Sequence, residues 1–95
     1  MAVYLVTWGS NKENPNHADS RKQFVAHLER YRNTTDSGLE SVWFVSTNLT
    51  ASQLCDNLRK IFDDNDKLVV TKLVSGDYYG WLSEEVWTWI SARSR

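Results

Sequence analysis

Glu13, His17 and Asp19 stand close together in a polar stretch that follows the first strand-like run of the chain. Two carboxylates and an imidazole in one loop are the residue types of a hard-metal site or of an acid–base pair. Loops at strand ends are where α/β proteins often carry such chemistry. The same residues also suit plainer roles: Glu13 solvated, Asp19 capping the next helix, His17 exposed. Other single groups are poorer candidates. His27 falls mid-helix between Ala26 and Leu28, and Cys55 sits on an apolar stripe where a thiol packs as a small hydrophobe. Ser46 and Thr47 close a strand, where hydroxyls could meet a phosphate but more often start a turn.

Two further groups point to binding rather than catalysis. Arg21, Lys22, Arg30 and Arg32 gather positive charge on the first predicted helix, and Arg59 and Lys60 add to it on the second. With Tyr78 and Tyr79 they would make a nucleic-acid surface, the cations holding phosphates and the tyrosines stacking on bases. Glu29, Asp56 and Asp63 interrupt both helices, as on an ordinary solvated surface. The second group is the tryptophan-rich end of the chain. Leu82, Val86, Trp89 and Ile90 share one face of the last predicted helix and can cover a sheet, whereas Trp87 lies on a different face and Trp81 precedes the helix. Large aromatics in such places mark partner surfaces, so Trp81, Trp87 and Ile90 are the interface candidates, with a two-fold homodimer as the expected assembly.

Composition limits these readings. Ninety-five residues make a single domain, 1–95, with room for one modest core. Apolar residues are 41% and charged residues 24%, which fits a folded chain and not a disordered one. The formal net charge is −1, against tight nonspecific binding of nucleic acid. The one cysteine cannot form an internal disulfide. No run has the roughly 20 apolar residues of a membrane span, and none reads as a signal segment. The expected location is cytoplasmic, with no membrane partner.

The elements that must position these residues follow from periodicity. Ala2–Trp8 is an apolar run that reads as a strand buried on both faces. After a loop holding Pro15, Phe24, Val25, Leu28 and Tyr31 recur at helical spacing, with Asp19 or Asn16 as the cap and Asn33–Gly38 as the stop. Leu39–Thr47 is the second strand region, long enough to bend and be counted as two. Thr50-Ala51-Ser52-Gln53 matches a capping box, and Leu54, Cys55, Leu58, Ile61 and Phe62 form the stripe of the helix behind it. Asp63–Asp66 ends that helix. Lys67–Val74 is a third strand, apolar on both faces apart from Thr71 and Lys72. Ser83 caps a last helix with Glu84 and Glu85 in its first turn and Arg93 near its end. The order β-α-β(β)-α-β plus a C-terminal helix predicts an α/β sandwich with helices on one face of the sheet.

The runs "AVYLVTWG" at Ala2–Gly9, "ESVWFVSTNLT" at Glu40–Thr50 and "NDKLVVTKL" at Asn65–Leu73 carry a family resemblance. On them the chain resembles small SinR-labelled bacterial proteins, which are related to the CRISPR-associated endoribonuclease and integration-scaffold proteins and to the virulence-associated protein D toxins. The resemblance implies a ferredoxin-like fold. It also implies a dimer whose nuclease members place first-strand aspartates around a divalent metal. Here the matching stretch is Thr7-Trp8-Gly9-Ser10-Asn11, and Gly9 offers no ligand atom, so no metal site is carried over. From Tyr78 onward the chain departs again, reading as a helix where relatives commonly add a strand.

The sequence therefore favours a noncatalytic nucleic-acid-associated or protein-interaction module that needs no cofactor. One alternative is a toxin-like ribonuclease using Mg²⁺ or Mn²⁺ through Glu13, His17 or Asp19. Another is a toxin–antitoxin protein partner. RNA or DNA, a second copy and a foreign protein all stand as expected partners.

Overall fold

The first strand, β1 (Ala2–Gly9), turns alternate side chains to opposite faces of a sheet, and both faces are covered. The structure is a computed structural model that describes residues 2–9, 17–61 and 67–93, with the side chains of residues 17, 18 and 20 excepted. The remaining elements are α1 (His17–Leu28), β2 (Arg32–Thr34), β3 (Val42–Thr47), α2 (Ala51–Arg59), β4 (Lys67–Lys72) and α3 (Glu84–Arg93). The four strands lie in the order β2-β3-β1-β4, and every neighbouring pair is antiparallel. Two β-α-β units are thus interleaved, each with a strand of the other between its own. This is the ferredoxin-like sandwich, as the sequence predicts.

The even residues of β1 build the larger core. Tyr4, Val6 and Trp8 pack with Val45 against Phe24 and Leu28 of α1 and Leu54 and Leu58 of α2. Each helix contributes a pair four residues apart, the spacing that puts two side chains on one stripe. The rings of Trp8 and Phe24 are 4.8 Å apart and tilted by 56°, a favourable aromatic geometry. Tyr4 reaches through this core to donate its hydroxyl to the Leu49 carbonyl at 2.7 Å, which satisfies its polar end. On the opposite face Val3 and Phe44 meet Val86 and Ile90 of α3, again four residues apart. The two helices of the sandwich cover one face, and the additional helix covers the other.

The capping box of α2 forms as its residues predict. Gln53 N–H donates to Thr50 Oγ1 at 3.2 Å, and Thr50 N–H donates to Gln53 Oε1 at 2.9 Å. Four expectations need correction. The first helix stops at Leu28, short of Tyr31, because Arg30 and Tyr31 donate three residues back, to His27 and Leu28, which tightens and closes the last turn. Asp19 lies inside the first turn of α1 and is no cap, although a carboxylate there still suits the helix dipole. The Leu39–Thr47 region does not divide in two: it forms the single strand β3, and the fourth strand comes from elsewhere. Residues 32–34, expected to fall at the helix end and in the turn behind it, form β2 by pairing Arg32, Asn33 and Thr34 with Ser46, Val45 and Phe44. Pairing satisfies an edge of β3 that would otherwise be bare, and this is a tertiary reward invisible locally. Last, β4 is an edge strand with only Leu68 and Val70 half-buried, and Val69 is 56% exposed.

Candidate interaction surface

The chain leaves β4 through a tight turn. Asp77 N–H donates to the Val74 carbonyl at 2.9 Å, and Gly76 takes φ 89° at the third position. Ser75 before it has no positive φ, so the turn is type II, for which glycine at that position avoids a Cβ clash. The turn leads the chain to the face of the sheet that α3 covers. Along the following segment side chains divide sharply. Tyr78 and Leu82 pack inward on the smaller core, Tyr78 stacked on Trp87 with ring centroids 6.3 Å apart and 16° between planes. Tyr79 and Trp81 point away from the protein. They are 92% and 93% exposed, and their rings meet edge-on at 6.5 Å.

These two rings form the lip of an apolar cleft of about 290 Å³ floored by Leu5, Val42, Phe44 and Leu73. Leu39, 38% exposed, lies on its rim. A wider and more open hollow beside the lip is bounded by Trp87, Thr88, Ser91 and the carboxylate of Glu84. Charge here has one sign. Asp77, Glu84 and Glu85 are all exposed, and residues 73–92 contain no lysine, arginine or histidine.

The start of α3 is held from across the chain. Ser83 takes the cap position, its carbonyl accepting from Val86 N–H at 3.0 Å and Trp87 N–H at 3.2 Å. Its hydroxyl is turned to Asp36. It donates to Asp36 Oδ2 at 2.7 Å, and Ser83 N–H donates to the same oxygen at 2.8 Å. Asp36 Oδ1 accepts from Gly38 N–H at 2.9 Å. The Ser83 N–H above all, then the Gly38 N–H and the Ser83 hydroxyl, hold the Asp36 carboxyl below its ordinary pKa. Asp36 is an anchoring residue for the start of α3 that sequence reasoning missed. Asp36-Ser37-Gly38 reads as a turn, but its partner lies 47 residues on.

The structure separates the residues expected to bind nucleic acid. Arg21 and Lys22 are on α1, Arg30 is in the turn behind it and Arg32 is on β2, so the four do not share a helix. Arg21 is occupied in packing: its guanidinium lies 5.5 Å from the Trp8 ring centre, and Nη2 donates to the Glu40 carbonyl at 2.7 Å. The sheet itself stands between α1 and Tyr78 or Tyr79, which belong to the α3 side. Of the interface candidates, Trp81 is fully presented and Trp87 is half-buried. Ile90 is 0% exposed and belongs to the core, because its place one turn after Val86 aims it at the sheet.

Of the catalytic candidates in the loop after β1, only Asp19 has a described side chain. Asp19 is exposed, and Glu13 and the side chain of His17 lie outside the described residues. His27 Nε2 is 2.8 Å from Asn57 Oδ1 and so ties α1 to α2. Thr47 Oγ1 accepts from Leu49 N–H at 3.3 Å, the strand-closing role. Compared with known proteins, the chain matches no family model, no curated protein and no solved structure. Among the described residues no helix is long and apolar enough to cross a membrane.

Proposed function

We propose that this protein is a noncatalytic protein-interaction module that docks its partner on the lip formed by Tyr79 and Trp81. The observation that carries the reading is the pair of adjoining rings, each more than nine-tenths exposed, at the rim of an apolar cleft. Single exposed apolar side chains are common on folded proteins. Two aromatic rings continuous with a cleft make a patch, and tyrosine and tryptophan are the types that carry most binding energy at protein interfaces. Phosphate groups fit the lip poorly, since the charges that flank it are carboxylates.

Photo-crosslinking inside the producing cell tests this. With p-benzoylphenylalanine at position 81, discrete adducts to a protein are expected, and none with the same group at position 22 on α1. Nuclease-sensitive adducts from position 22, with none from position 81, would overturn the reading in favour of nucleic acid on the helix.

A further inference from the structure

We infer that the lip takes a basic segment of a foreign protein, one arginine or lysine flanked by apolar residues, and not a second copy of this chain. This rests on the reading of the lip as a protein-docking surface and adds the chemistry of what docks. Two observations carry it. The first is the uniform sign of the charge along this segment: Asp77, Glu84 and Glu85 flank Tyr79 and Trp81 in sequence with no cation among residues 73–92, and Glu84 lines the hollow that both rings border. A two-fold dimer through the lip would bring the acidic segment of one copy to that of the other, and like charges across an interface select against that partner. A cationic partner gains from the same field in encounter rate and in register.

The second is how this chain treats its other indoles. Arg21 lies over the Trp8 ring at 5.5 Å, and Arg93 lies over Trp89 at 4.6 Å, with Nη1 donating to the Trp89 carbonyl at 3.3 Å. In both, a guanidinium covers an aromatic face while one terminal nitrogen donates to a carbonyl oxygen nearby. Trp81 offers a comparable pair of features, an indole that is 93% exposed and Glu84 in the hollow it borders, to a cation supplied from outside. The cleft behind the lip, floored by Leu5, Val42, Phe44 and Leu73, receives the apolar neighbours of that cation.

Selection of a phage-displayed random dodecapeptide library on the immobilised full chain tests the inference. The enriched peptides are expected to carry arginine or lysine beside apolar residues. Their binding should weaken about tenfold in Asp77→Asn/Glu84→Gln/Glu85→Gln and at least as much in Tyr79→Ala/Trp81→Ala. All five side chains are exposed, so a thermal melt of each variant verifies that the fold is kept. Peptides that need both rings but carry no base, or that ignore the carboxylate changes, would overturn the inference and leave the docking reading standing. A dimer in sedimentation that Trp81→Ala dissociates would do the same in favour of a second copy. No enrichment, or enrichment indifferent to Tyr79→Ala/Trp81→Ala, would overturn both.

Discussion

The two faces of the sheet are covered by different means. Beneath α1 and α2, eight buried side chains from two strands and two helices close on one another, and the hydroxyl of Tyr4 is tied off on the Leu49 carbonyl. Beneath α3, four buried side chains make the contact, a cleft remains open beside them, and two aromatic rings stand outside it. The first face spends its apolar surface on folding. The second keeps part of it unspent, and that surplus is where a partner can gain by burial.

The contrast can be broken most forcefully at Leu58. Leu58→Ala should cost roughly 2–5 kcal/mol, since a wholly buried side chain leaves a cavity that neighbours on all sides cannot fill. Ile90→Ala should fall at the low end of that range, because the open cleft lets α3 settle. Urea denaturation of both variants measures the difference; equal losses would mean the two faces are equally closed.

A smaller effect sharpens the comparison at the edge of α3. Asp36→Asn should lower stability modestly and raise hydrogen exchange in α3 before it does so in α1 or α2. The pH dependence has a fixed sign. The folded-state pKa of Asp36 is depressed, so the unfolded chain binds the proton more readily. The contribution is therefore complete above the ordinary carboxylate pKa and is lost as pH falls through the lower folded value. Between about pH 5 and pH 2 the gap in urea midpoint between the parent and Asp36→Asn should narrow. A gap that stays constant would show that the charge of Asp36 is not what holds Ser83.

The smallest effect on stability belongs to the residues given the largest effect on binding. Tyr79→Ala/Trp81→Ala should melt within about 0.5 kcal/mol of the parent, as surface changes without packed contacts do. A larger loss would place the rings in the folding of the chain and not on offer to a partner.

What could be read from the sequence was what is local. Thr50 and Gln53 lie three residues apart and announce their own capping box, and the apolar run from Ala2 announces a strand with two covered faces. The stripe of Phe24 and Leu28 does the same for α1. Features that depend on a distant partner were hidden. Arg32–Thr34 has little strand character of its own and becomes a strand by lying beside β3. Arg21 looks like a free cation until Trp8 and Glu40 are brought to it. Nothing near Ser83 points to Asp36. At the candidate surface, Trp81 was legible as an exposed ring because it precedes the helix. Ile90 stands on the face read as able to cover a sheet, and its burial there removes it from the interface candidates.

The central position of β1 has a consequence for how this protein comes into being. The strand is made before its two neighbours, β3 and β4, which begin at Val42 and Lys67. As the chain emerges from the ribosome, β1 must wait for Val42–Thr47 before one side is paired and for Lys67–Lys72 before the other, and such long-range closure is slow. The segment that carries Tyr79 and Trp81 follows β4, so the docking lip is made only after the last strand of the sheet. A nascent chain cannot present it to a partner before the sheet beneath it can close.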